Sequence, residues 1–277
     1  MRLSFAHNKS PMVIGVIRQR TVRAAIADIK NCEMHGADGV DLHLSCLEDE
    51  FKNVESIRQI IRNTKVPMLG LNYSTTYDNQ PIIEDDDARV GLLMKSVEAG
   101  IAAVDIQGYT YDMDSKKEFN KNYADAPYSF VKCSPREVVL DPKVIDRQCD
   151  LFERIHSEGA EVLISTHTGC AMTCEQVVDL ALFLEKRNPD VIKIVSIANS
   201  EEDLVEAIKT ALVLKREVKT NVHYHAAGAH GKLSRIINPI LSGYLIFAND
   251  TYHEGSNFEQ LDLRASRAVV DNLMKMM

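Results

Sequence analysis

The chain has 277 residues, 45% of them hydrophobic and 26% charged, which is the balance of a soluble globular protein with a substantial core. A formal net charge of −8 with no basic block excludes a nucleic-acid partner held through its phosphates. No apolar stretch approaches the roughly 18 residues of a membrane span, and the N-terminal "MRLSFAHNKSP" lacks the apolar core of a signal peptide, so no membrane is expected and a cytoplasmic site is.

Short β-rich runs then alternate with amphipathic stretches. The strand candidates are "MVIGVI" (12–17), "GVDLHLS" (39–45), "PMLGLN" (67–72), "AAVDIQ" (102–107), "EVLISTH" (161–167), "VIKIVSI" (191–197), "TNVHYHA" (220–226) and "GYLIFAN" (243–249). Between them lie helical patterns, such as Val22, Ala25, Ile26, Ile29 and Cys32 on one face, or Ile57, Ile60 and Ile61 on another. Thr173 with Gln176, and Ser200 with Asp203, have capping-box spacing, and Asp141-Pro142 sets a proline at a helix start. "HGADGVD" at 35, "AGIAAVD" at 99 and "EGAEVLI" at 158 repeat one phrase, a glycine that ends a helix just before the next strand.

Eight such β-then-α units fit an α/β fold of the (β/α)8 TIM-barrel class, in a single domain over residues 1–277. No G-x-G-x-x-G follows the first strand, which argues against a dinucleotide fold. Residues 108–140 break the rhythm as a long insertion after strand four, either a lid or a surface excursion. The six cysteines form no framework, and Cys170 and Cys174 have no second pair nearby, so reduced thiols are expected.

In such barrels chemistry sits at the C-terminal ends of the strands. Alternation leaves Asp41, His43 and Ser45 sharing a face on strand two, Asp105 and Gln107 on strand four, and His223 and His225 on strand seven, while strand five ends at His167. Strand six carries the anomaly: Lys193 stands in the middle of a Val/Ile run, on the face opposite Ile192 and Ile194. Burying an ammonium is costly unless compensated, and a low-dielectric interior favours the neutral amine, the form that attacks a carbonyl. The alternative is a structural ion pair with Asp105 or Asp41. His167 is the matching proton carrier for an imine on Lys193, with Asp105 as the group that holds its tautomer. Arg235 in "GKLSRII", with Ser256 and Gln260 in "EGSNFEQLDL", provides donors for a substrate carboxylate.

These segments resemble the type I 3-dehydroquinate dehydratase family. "ISTHTG" resembles the segment carrying the family's histidine, here His167, and "PDVIKIV" the one carrying its imine lysine, here Lys193. "GKLSR" resembles the motif whose arginine grips the substrate carboxylate, here Arg235, and "SNFEQL" supplies Ser256 and Gln260. Asp105 falls where the family has an aspartate on strand four. The resemblance implies a cytoplasmic, homodimeric, cofactor-free lyase of the shikimate pathway. Its substrate would be a carboxylate-bearing cyclic ketone, dehydrated through a Lys193 Schiff base.

The first half departs from the family. Where strand two would read glutamate-x-arginine-x-aspartate, it reads Asp41-Leu42-His43-Leu44-Ser45. Tyr73 stands for a strand-three arginine, Tyr77 for the glutamate that partners the histidine, Thr168 for an aspartate and Ala227 for a methionine. Asp41, His43 and Tyr73 are thus the expected readers of the substrate's hydroxyls, and 3-dehydroquinate or a related cyclic keto acid is the expected substrate. A metal-dependent isomerase or hydrolase built on Asp41, His43, His167, His223 and His225 with Zn²⁺ or Mn²⁺ is the second reading. A non-catalytic member of the family is the third.

Overall fold

Strand and helix alternate along the chain because two local signals alternate. Val/Ile-rich runs bury both faces, and most helical runs are opened by a polar cap and some are closed by a glycine. The structure, a computed structural model, describes residues 2–8, 11–73, 85–112, 137–252 and 259–274. Most of the 108–140 insertion, read as either a lid or a surface excursion, lies outside the described residues, as do Tyr77 and Ser256.

The chain divides into two compact units: Met1–Asp105 with Ile155–Glu161 and Leu245–Met277, and Ile106–Arg154 with Val162–Tyr244. The first contains β1 (Met12–Ile17), α1 (Val22–Met34), β2 (Gly39–His43), α2 (Val54–Arg62), β3 (Met68–Leu71), α3 (Asp86–Ala99) and the start of β4 (Ala103–Gln107). It also holds β8 (Leu245–Asn249), β9 (Leu261–Asp262) and α8 (Leu263–Met274). Its strands run in the order β4-β3-β2-β1-β8-β9, with every pair parallel. The second unit contains most of α4 (Pro142–Ser157) and of β5 (Glu161–His167), then α5 (Cys174–Glu185), β6 (Val191–Ile197), α6 (Glu201–Glu217), β7 (Asn221–Ala227) and α7 (Ser234–Leu241). Here β6 lies between β5 and β7, both parallel to it.

The expected punctuation is present. Thr173 with Gln176 and Ser200 with Asp203 form reciprocal capping boxes, and Pro142 is the first residue of α4. Gly36, Gly100 and Gly159 all have positive φ, so the repeated phrase is a left-handed helix stop. A second device recurs, once in each unit. Asp38 and Asp190 each accept from the backbone of a strand start, Val13 and Val162, and return their own N–H to the same residue's carbonyl. Helix faces bury as the spacing requires: Val22, Ala25, Ile29 and Cys32 on α1, Ile57 and Ile60 on α2, with Ile26 and Ile61 half-buried at the margins.

Strand two is shorter than its sequence suggested. It ends at His43, and Leu44–Cys46 form a 3-10 turn, so Ser45 leaves the face of Asp41 and His43 while all three turn residues stay buried. Among the described residues, no helix is long and apolar enough to cross a membrane, and Cys32, Cys46, Cys149, Cys170 and Cys174 are free thiols.

Candidate active site

Parallel register puts side chains of neighbouring strands in rows on one face. In the second unit Ser165, Lys193 and His223 form one row across β5, β6 and β7, and His167, Val195 and His225 form the next. Ile192 and Ile194 are fully buried on the opposite face of β6. Lys193 is therefore on a central strand, 8% exposed, and does not extend into solvent. From strand spacing and rise, one strand over and two residues along is roughly 8 Å between Cα atoms, a span that a lysine and a histidine side chain cover together.

His167 at the end of β5 is held by a residue that the sequence did not single out. Glu137 Oε2 accepts from the backbone N–H of His167 at 2.7 Å and lies 3.0 Å from its Nδ1. A carboxylate only accepts, so Nδ1 carries the proton and, in the neutral ring, Nε2 keeps a lone pair. Asp105, the expected orienting group, accepts from Tyr73 Oη at 2.9 Å, and both residues are buried in the first unit.

Glu137 reaches that position through a tight backbone arrangement. Its φ of 63° lies in the left-handed region, uncommon for a residue with a Cβ and frequent at functional sites. Beneath it is Gly108, where an added Cβ would stand 2.1 Å from Glu137 O and 2.7 Å from Thr166 Cγ2. A buried network ties both sides of this contact. Gln148 Nε2 donates to Gly108 O and Thr110 O at 3.0 and 2.8 Å, and Gln148 Oε1 accepts from Arg187 Nε at 2.8 Å. The same guanidinium donates to Val139 O at 3.2 Å. These partners lie 30 to 48 residues apart, so no periodicity marks them.

The "GKLSR" segment shows the division of labour within a motif. Gly231 is obligatory, since a Cβ there would lie 2.3 Å from Ala226 O. Ser234 Oγ accepts from Ala226 N at 2.9 Å and donates back into the turn. Both residues fold the corner after β7, and Arg235 follows in the first turn of α7. Burial holds the His223 and His225 imidazoles well below the usual histidine range, helped by the positive charges of Lys193 and Arg235 for the former and chiefly of Arg235 for the latter. The lysine and the arginine thus act on the same pair of rings.

The remaining sequence candidates belong to the first unit. Asp41 and His43 are buried, with Oδ2 and Nε2 3.6 Å apart. Gln260 is buried and its Oε1 accepts from Arg18 at 3.3 Å, a residue not anticipated. Among the described residues, no group of three or more His, Cys, Asp or Glu side chains could hold a metal ion. The proposed set of Asp41, His43, His167, His223 and His225 is not gathered as ligands, and two of its members, His223 and His225, are bonded to each other.

Residues 15–275 match the family model described as type I 3-dehydroquinase. The chain belongs to that family. A 3-dehydroquinate dehydratase of Coxiella burnetii, strain Dugway 5J108-111, is 30% identical over 98 residues, covering 34% of this chain. The chain matches 40% of the length of that relative. Among solved structures, the type I 3-dehydroquinate dehydratase of Clostridium difficile with covalently modified comenic acid aligns at TM-score 0.77 and 12% identity, over 100% of this chain and 99% of the other. The 3-dehydroquinate dehydratase of Geobacillus kaustophilus aligns at TM-score 0.73 and 14% identity, over 99% and 97%. At such low identity these likenesses establish the fold, which is the (β/α)8 TIM-barrel class expected from the strand and helix rhythm.

Proposed function

We propose that this type I 3-dehydroquinase family member is a Schiff-base hydro-lyase that removes water from 3-dehydroquinate or a related cyclic keto acid. Lys193 Nζ adds to the ketone, and loss of water from the carbinolamine leaves a protonated imine. The imine acidifies the neighbouring C–H, and His167 Nε2 takes that proton to give an enamine. The enamine electrons then expel the β-hydroxyl, which leaves as water with the proton returned by His167. Hydrolysis of the conjugated imine frees the enone and restores the amine, so the net change is loss of one water. Arg235 grips the carboxylate, and Glu137 holds His167 in the tautomer with a basic Nε2.

One observation carries this reading: a buried lysine on a central strand, one strand from a histidine whose Nδ1 is committed to a carboxylate. The covalently modified small molecule in the Clostridium difficile relative is consistent with it. The working form we propose, from family membership, is a cytosolic homodimer. Borohydride trapping with 3-dehydroquinate and with other cyclic keto acids, followed by mass mapping, tests the mechanism. An adduct on Lys193 that disappears in Lys193→Ala is the expected result, and adducts confined to surface lysines refute it.

A further inference from the structure

Two histidines on the lysine's face have no part in that reaction. His223 stands beside Lys193 in register and His225 two residues further along β7. They are 1% and 3% exposed, with ring centroids 5.0 Å apart, and His225 Nδ1 is 2.9 Å from His223 Nε2. Burial keeps both rings neutral. A hydrogen bond between neutral imidazoles has one donor and one acceptor. If His225 Nδ1 donates, its Nε2 is a bare lone pair, and if it accepts, Nε2 carries the proton. In either tautomer His225 Nε2 is a polar atom, fully buried, with no hydrogen-bond partner among the described residues. Native interiors seldom leave such an atom unsatisfied, so a bound group is its natural counterpart.

We propose that His225 Nε2 hydrogen-bonds a hydroxyl of the ligand held at Lys193, and that His223 is the positioning residue that orients the ring and sets its tautomer. A hydroxyl both donates and accepts, so it matches either tautomer of the pair, whereas a carbonyl or carboxylate oxygen matches only one. Within the cyclic keto acids already proposed, this favours a ligand that bears a hydroxyl, with its carboxylate left to Arg235. This rests on the imine reading and adds the element of selectivity that histidines on β7 supply. A site built to bond a hydroxyl rejects analogues lacking it, because its own polar atom is then stranded.

The test compares borohydride trapping on Lys193 with 3-dehydroquinate and with 3-oxocyclohexane-1-carboxylate, which lacks the hydroxyls. The readout is the ratio of their half-saturating concentrations in wild type, His225→Phe, His225→Asn, His223→Phe and His223→Gln. The preference for the hydroxylated ketone is expected to fall about 10- to 100-fold in His225→Phe and partly in His223→Phe. The amide variants, which keep a hydrogen-bonding group, are expected to retain more of it. Should His225→Phe fail to fold, the same ratio in His225→Asn and His223→Phe decides. An unchanged ratio across the set overturns the inference while leaving the imine intact, and absence of any adduct in wild type overturns both.

Discussion

Glu137 touches His167 twice through a single oxygen, and no substrate contact is required for it to matter. Replacing that oxygen by an amide allows the side chain to donate, which favours the wrong tautomer of the ring. Glu137→Gln is therefore expected to lower kcat by about 10- to 100-fold while KM stays within a few-fold. Steady-state kinetics on dehydration check this, and a parallel rise in KM would assign Glu137 to binding instead. Lys193 stood out in the sequence as a charged residue in the middle of an apolar strand, and His167 as the polar residue that ends one. Glu137 could not, because it is one acid among several in a polar segment, and its value depends on a left-handed backbone and a partner 30 residues away. Asp105 was the natural sequence choice as His167's support; its carboxylate accepts from Tyr73, just past the end of β3.

Among the elements, the end of β4 is where backbone space rather than side-chain chemistry is decisive. Gly108→Ala drives a methyl into Glu137 O, so a loss of about 1–3 kcal/mol is expected, together with a kcat defect like that of Glu137→Gln. Gly91, within α3, is the contrast, since an added Cβ there meets nothing within 4 Å. Gly91→Ala should stabilise the protein by about 0.5–1 kcal/mol and leave kcat unaltered. Urea denaturation of both variants separates a glycine required by close approach from one that is not. The caps and glycine stops were legible because they depend on residues within one turn of each other. The shortening of β2 at His43 was not, because Leu44 and Ser45 continue an alternating pattern that the chain abandons only in order to bury a turn.

For the molecule as a whole, the neutral histidine pair predicts how stability follows pH. Unfolded, both imidazoles take up protons as pH falls through about 6.5. Folded, their lowered pKa values resist that uptake, so the unfolded state binds more protons and stability is lost as pH decreases. Each ring contributes to that loss until its own native pKa is reached. Wild type should lose more stability between pH 7 and pH 5 than the double variant His223→Gln with His225→Asn, as read from urea midpoints, and equal losses would show that the pair does not carry the effect. By itself the sequence determined the alternation of strands and helices, their caps, and the presence of a lysine and a histidine on neighbouring strands, since these follow from short-range periodicity and steric rules. Only the tertiary structure decided which carboxylate holds His167, which network supports that carboxylate, and that His223 and His225 bond each other rather than gather with other residues as metal ligands. Those contacts join residues whose separation along the chain carries no information about their distance in space.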